Sequence, residues 1–351
     1  MRIAGVASAF PQNYYSQAEI ATALKRHWCE ELDRPEVLDR MLARVGVDGR
    51  HLALPIDRYD DLTDWGEKND RWIEVAEDLA EQSICRALTR AGLCEADLHA
   101  IFFVSVTGIA SPSIDARLVN RMNLRPNIRR VPIFGLGCVA GAAGIARAAD
   151  YVRAYPEQNA VLVSVELCSL TWQRKDLSVA NVISSGLFGD GCAAVIVSGS
   201  ARDAYGPEVV ASSSSFYRGT EDVMGWDISS DGFTIVLSSE VPDMVRKHLA
   251  HDIDAFLVEH GLRRNDIATW IMHTGGPKVL EATAEALDLP DRALQVSWDC
   301  LARVGNLSSA SVLLVLEEFM NRRRPAFGTY SILAAMVLAS ARNWFCCAGK
   351  S

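Results

Sequence analysis

The chain has 351 residues, 49% of them hydrophobic and 23% charged, with a formal net charge of -9. That length and apolar content can bury a large core, in one big domain or in two closely packed halves. The acidic balance excludes a nucleic-acid backbone as the main partner, because phosphate neutralisation needs clustered Lys and Arg; an anionic ligand must be met by a local basic patch.

The opening MRIAGVASAFPQNYY lacks the basic flank and apolar run of a secretory signal, and no stretch reaches the roughly 20 apolar residues of a bilayer span. A cytoplasmic location without integral membrane association is expected. Ser16-Gln-Ala-Glu19 is a capping box ahead of IATALKRHWCEEL and predicts the first helix. Apolar, β-branched runs then alternate with helical patterns: IFFVSV at 101–106, AVLVSVEL at 160–167, AAVIVSG at 193–199, TWIMH at 269–273 and SILAAM at 331–336. Strands alternating with helices predict an α/β protein. Gly206-Pro207, followed by the serine run at 212–215, is the best seam, giving halves 1–205 and 206–351. The nine cysteines are scattered except for Cys346 and Cys347, with no CxxC and no His–Cys ligand spacing. Reduced thiols are expected, and no metal.

An internal repeat links the halves. CRALTRAGLCEADLHAIFFVSVTG resembles DAFLVEHGLRRNDIATWIMHTGG, with Gly92-Leu93 on Gly261-Leu262 and Asp97-Leu98 on Asp266-Ile267. GLGCVAGAAGIARAADY aligns with RVGNLSSASVLLVLEEF at almost the same interval, placing Gly137-Cys138 on Gly305-Asn306. Two units repeated at one spacing indicate a duplicated α/β element. Cys138 and Asn306 thus occupy matching places, each after a glycine and before a small-residue helix. His273 closes a buried strand just before Thr274-Gly275-Gly276-Pro277.

A lone cysteine is ordinarily an inert core residue; its repeat-matched position singles this one out. A cysteine at a helix start has its thiolate stabilised by the dipole and free N–H groups, and a nearby imidazolium lowers its pKa further. That combination makes an acyl-accepting nucleophile. His273 and Asn306 can both donate to one thioester oxygen, stabilising an enolate or a tetrahedral oxyanion. A metal site is disfavoured because His273 has no ligand-spaced partner, and a serine hydrolase because no GxSxG elbow occurs.

These residues lie in GLGCVAG, LFGDG (187–191), HTGGPKV, GNLSSAS and TGIASPSIDARL (107–118), five motifs in order. Up to Met336 the chain resembles the type III polyketide synthases, the chalcone-synthase-like condensing enzymes. The resemblance implies a thiolase-like fold, two related α/β halves in a layered αβαβα core, and a homodimer. It implies a starter acyl-CoA loaded on Cys138, malonyl-CoA decarboxylated beside His273 and Asn306, and no cofactor besides these CoA thioesters. A single-round ketoacyl synthase, sharing Cys-His-Asn, is the alternative enzyme; an acyl-binding protein without activity is the non-enzyme one.

Residue by residue, Phe188 matches the family's gatekeeper, and Ile235 stands where plant members have a second aromatic. Cys168, Thr171 and Ser308 fall on cavity-lining positions, and Ser111 near where a residue crosses into the partner's cavity. An aliphatic residue at 235 implies a wider apolar cavity, suited to a fatty acyl starter and an alkylresorcinol or alkylpyrone product. Arg40, Arg44 and Arg50 are the implied cations for the CoA phosphates, Arg44 being the best match, while Asp48 takes another basic position.

After SILAAM the family's glycine-proline-glycine turn and last strand are missing from MVLASARNWFCCAGKS. A DNA encoding this tail, with third codon positions chosen to suit, reads M-G-P-G-F-C-S-E-L-V-L-L-R-W-stop once a guanine is restored after the Met336 codon. Residues 337–351 are therefore read as a frameshifted tail that lacks the closing strand, and no site is expected at Cys346 or Cys347.

Overall fold

The computed structural model describes residues 1–28, 35–323, 326, 328–337 and 340–348. In the first half the elements run β1 (Arg2–Ala9), β2 (Asn13–Ser16), α1 (Gln17–His27), α2 (Pro35–Ala43), β3 (Gly49–Leu52), α3 (Trp65–Ala91), β4 (Leu98–Val104), α4 (Ile114–Arg121), β5 (Arg129–Ile133), α5 (Ala140–Ala154), β6 (Asn159–Leu167), α6 (Val179–Leu187) and β7 (Asp190–Ser198). The second half has β8 (Glu208–Ser213), β9 (Met224–Ser229), β10 (Gly232–Leu237), α7 (Val241–Glu259), β11 (Ile267–Met272), α8 (Pro277–Leu287), α9 (Gln295–Val304), α10 (Ser311–Asn321), β12 (Tyr330–Val337) and β13 (Ser340–Ala348).

The capping box forms as the sequence predicts: Ser16 Oγ accepts from Glu19 N–H at 3.3 Å, and the Glu19 carboxylate takes the Ser16 N–H at 2.8 Å. All five apolar runs are strands. Among the described residues nine strands join in the order β11-β12-β13-β8-β1-β7-β6-β4-β5. The halves meet where Arg2 of β1 pairs with Glu208 of β8.

Period-2 alternation sorts each strand between two helical layers. Ile101 and Phe103 of β4 pack with α3 and α4, whereas Ala100, Phe102 and Val104 face α5 and α10. In β12, Leu333 and Ala335 face α5 and α10, and Ile332 and Ala334 face α7 and α8. The three apolar clusters are the interfaces of a helix–sheet–helix–sheet–helix stack, the layered αβαβα core. α5 is the innermost helix, and ten of its fifteen residues are buried. No helix among the described residues is long and apolar enough to cross a membrane.

The repeat is visible in backbone conformation. α3 ends at Gly92 (φ 67°) and α7 is followed by Gly261 (φ 70°); each leads through a 3-10 turn, Glu95–Asp97 or Arg264–Asp266, into β4 or β11.

One expectation fails. The tail is expected to lack the closing strand, yet Ser340–Ala348 forms β13, antiparallel to both β12 and β8. Ladder hydrogen bonds come from the backbone, which any non-proline sequence supplies, so the missing glycine-proline-glycine turn does not leave this place in the sheet unfilled.

Candidate active site

Cys138 is delivered by a tight turn after β5. Gly135 and Gly137 adopt φ of 88° and 56°, which glycine enters without a Cβ clash, and the 3-10 turn Gly137–Val139 leads into α5. A Cβ on Gly141 would stand 2.1 Å from the Ser309 carbonyl oxygen. Glycine there lets α5 reach the 3-10 turn Ser308–Ala310 of the other half. Asn306 is presented alike: Gly305 at φ 75°, then that turn, then α10.

The two meet through Ser308. Cys138 Sγ lies 3.5 Å from Ser308 Oγ, and Ser308 N–H donates to Asn306 Oδ1 at 2.8 Å. Ser311 Oγ donates to the same oxygen at 3.2 Å, fixing the amide. Ser308 itself has φ 46°, a strained value for a non-glycine residue and one found at functional turns. His273 follows β11; its N–H donates to Ala334 O of β12 at 2.9 Å, and β12 packs against the Cys138 turn. Among the described residues no hydrogen bond joins His273 to Cys138. His273 Nδ1 and Asn306 Nδ2 are buried without partners there. Such groups are costly unless a ligand satisfies them, and a thioester oxygen is an acceptor the Asn306 amide could use.

The electrostatics depart from expectation. Burial pushes the Cys138 thiol up to about 12, outweighing its hydrogen bond with Ser308, and burial alone pulls His273 down to about 4. Burial therefore opposes charge on both groups, against the thiolate stabilisation expected from the helix start.

Cys138 and Ser308 face a cavity of about 880 Å³, open mouth included, with Phe188, Cys168, Ile235 and Trp226 in its walls. A second cavity of about 830 Å³ shares those last four side chains and continues past Thr171 towards His27. Ile235 pairs with Trp226 across the β9–β10 hairpin, so the bulk that Ile235 gives up returns from the facing strand. The hairpin register around Ser229 and Gly232 is the signal that would have found Trp226.

The other expected residues divide. Thr171 lines only the second cavity, and Ser111 is exposed and lines neither. Arg40 and Arg44 are exposed and make no ion pair among the described residues. Arg50 is a correction: it is 2% exposed, and its guanidinium donates to Gln17 Oε1 and Gly186 O, both at 2.6 Å, and to Ser185 O. Burial lowers it to about 10, countered by Asp190, so it stays charged. Its two terminal nitrogens are committed inside the fold and its Nε is buried without a partner, so the group does not meet a CoA phosphate in solvent.

Sequence reasoning missed Glu166 at the end of β6. Its carboxyl accepts from Val106 N–H at 3.2 Å, Thr107 Oγ1 at 3.0 Å and the Ser309 hydroxyl, and burial pushes it up to about 7. A charged residue closing the wholly apolar run AVLVSVEL was the available sign, since unpaired Glu is almost never fully buried. Among the described residues no cluster of metal-ligating side chains occurs.

Residues 2–201 match the N-terminal domain of the chalcone and stilbene synthases, and residues 208–328 their C-terminal domain. The chain is 49% identical to a 1,3,6,8-tetrahydroxynaphthalene synthase of Streptomyces peucetius subsp. caesius, over 95% of this chain and 89% of that protein. It is 30% identical to an alpha-pyrone synthesis polyketide synthase-like protein of Mycobacterium tuberculosis, over 92% and 84%. The crystal structure of the 1,3,6,8-tetrahydroxynaphthalene synthase of Streptomyces coelicolor A3(2), a bacterial type III polyketide synthase, superposes with a TM-score of 0.94 at 30% identity, covering 100% of both chains.

Proposed function

The chain belongs to the chalcone and stilbene synthase family and is a type III polyketide synthase, an acyltransferase, and from that premise we propose the roles of its site residues. Cys138 is the nucleophile. Its proton passes to His273 as the sulfur attacks the starter thioester carbonyl, and CoA leaves as the thiol with that proton. Burial opposes a lone charge on either group, so the transfer forms both ions together, each stabilising the other. Malonyl-CoA then loses carbon dioxide, and the electron pair of the broken C–C bond moves onto the thioester oxygen, held by His273 and the unspent Asn306 amide. The enolate carbon attacks the Cys138 thioester, expelling the sulfur and lengthening the chain by two carbons. The observation that carries this reading is the Cys138–Ser308–Asn306 hydrogen-bonded cluster, in which Cys138 and Ser308 face the cavity and Asn306 is buried directly behind them.

The starter we propose is malonyl-CoA itself, with an aromatic product of the tetrahydroxynaphthalene type. The 49% identical relative bears that name, and the Trp226 ring stands beside Ile235 in the cavity wall. A second reading, a fatty acyl starter giving an alkylresorcinol or alkylpyrone, is favoured by the second cavity, where Ile20, Leu24, Leu52 and Ile56 form an apolar wall. Arg44 and Arg40 meet the CoA phosphates. The working unit is a homodimer: β5 is an exposed edge strand with Val131, and Phe134 just beyond it, uncovered, and Ser111 reaches the partner's cavity. A monomer by sedimentation at micromolar concentration would refute the dimer.

Incubation with malonyl-CoA, with and without long-chain acyl-CoA, and mass spectrometry of the products tests the rest. Tetrahydroxynaphthalene from malonyl-CoA alone supports the first reading; resorcinols or pyrones only with acyl-CoA support the second. A single β-keto extension points to a ketoacyl synthase, and no product with either starter refutes synthase activity.

A further inference from the structure

We infer that Ser169 is a positioning residue that fixes the Cys168 wall relative to the Phe188 gate, and so sets the length to which a chain grows on Cys138. The inference rests on the synthase reading above.

Asp190 opens β7 and is fully buried. Its carboxylate accepts from Ala53 N–H at 2.5 Å, from Ser169 N–H at 2.9 Å and from the Ser169 hydroxyl. The Ser169 oxygen also meets the Tyr59 hydroxyl, whose oxygen takes the Leu54 N–H at 3.3 Å. Since the Ser169 proton goes to the carboxylate, Tyr59 must be the donor to Ser169, which gives the chain one direction, Tyr59 to Ser169 to Asp190. A buried carboxylate holds its donors strongly, because any it loses cannot be replaced by water.

The chain fastens three segments that frame the cavities. Ser169 lies in the 3-10 turn Cys168–Thr171, closed by Thr171 Oγ1 donating to Cys168 O at 2.8 Å, and Cys168 faces the catalytic cavity. Asp190 follows Phe188 by two residues. Between them Gly189 N–H donates to Asn306 O at 3.0 Å, and Asn306 N–H donates to Leu187 O at 2.9 Å. Wall, gate and the Asn306 backbone therefore share one anchor. Ser169→Ala keeps the N–H bond but strips the hydroxyl, leaving Tyr59 without its acceptor and the turn free to shift against the gate.

The test compares product chain lengths from malonyl-CoA. Ser169→Ala is expected to lower the ratio of fully extended to truncated products by about tenfold, the equivalent of one charge-assisted hydrogen bond, and to lower it by more than it lowers total CoA release. Ser169→Thr, which keeps the hydroxyl, restores the ratio. Tyr59→Phe, which cuts only the far end, shifts it less and in the same direction. An unchanged ratio in Ser169→Ala overturns the inference, as does a fall in rate and melting temperature without a change of ratio. A second readout needs no turnover: in a Cys138→Ala background, iodoacetamide should alkylate Cys168 about tenfold faster when Ser169 is alanine, the same loosening read as access. Equal rates overturn the inference, whereas absence of polyketide from the unmutated chain counts against the synthase reading alone.

Discussion

In the N-terminal half Gly137, a 3-10 turn and α5 present Cys138; in the C-terminal half Gly305, a 3-10 turn and α10 present Asn306. The two side chains are held very differently. Among the described residues the Cys138 sulfur has one hydrogen-bonding contact, 3.5 Å from Ser308, while Asn306 Oδ1 accepts two hydrogen bonds that aim its amide. One duplicated scaffold thus serves two demands. On the proposed roles, a sulfur that must accept, carry and release a chain is left with little polar tethering, and an amide that must meet each new oxyanion in the same place is locked.

The strongest way to break that comparison is to exchange the two functions for alanine. Cys138→Ala removes the sulfur proposed to carry the chain and is expected to abolish polyketide formation. Asn306→Ala spares the nucleophile but removes a preorganised donor, with an expected loss of about 10²–10³ in the rate of CoA release. Product from Cys138→Ala, or a loss below about tenfold for Asn306→Ala, would contradict the assignment.

Glu166 joins the halves through Ser309, and its titration is the next largest effect. Its folded value of about 7 lies above the ordinary 4.5, so between those values the folded chain keeps a proton that the unfolded chain has released. Stability therefore falls as pH rises from about 4.5 to about 7, by about 3 kcal/mol for this group. Asp190 acts in the same sense between 3.8 and about 6. His273 opposes both: held at about 4 against 6.5, it adds stability as pH rises through that window. Glu166→Gln should delete only the first contribution. The stability difference between parent and variant, from denaturant titrations at pH 5 to 8, should drift by a few kcal/mol below about pH 7; a flat difference would show that Glu166 does not hold its proton in the fold.

Gly141→Ala probes how closely the halves approach. Alanine gains up to about 1 kcal/mol of helix propensity, but its Cβ would stand 2.1 Å from a backbone carbonyl that cannot rotate away. Overpacking should prevail, destabilising by about 1–3 kcal/mol, read as a lower melting temperature. A rise in melting temperature would mean that α5 and the Ser308 turn have slack, and that the small-residue helix is not there for close approach.

What the sequence made legible was local or periodic. Gly137-Cys138 and Gly305-Asn306 stand out because a left-handed turn leaves glycine in the sequence, and the strands because burial leaves period-2 or continuous apolar runs. What it hid depends on facing partners. Trp226 became a cavity wall only through its register with Ile235, and Ser169 an anchor only because Asp190 lies against it. Arg50 shows the limit for charges: a guanidinium reads the same whether it meets solvent or three internal acceptors. The tail shows it for the backbone, since β13 pairs through groups that every residue carries.

Arg44 offers the smallest test, and it separates the exposed arginines from the buried one. It follows α2, exposed and without an acidic partner among the described residues, so the attraction proposed for a CoA phosphate would act through solvent and contribute about 0.5–1 kcal/mol. Arg44→Ala should raise KM for malonyl-CoA about threefold, with a smaller effect on kcat. Because the Debye length shrinks to about 3 Å at 1 M ionic strength, the difference in KM between parent and variant should fade as salt is added. A KM effect that persists at high salt would mean that Arg44 acts by contact within the fold, as Arg50 does; no KM effect at low salt would move the phosphate site away from this segment.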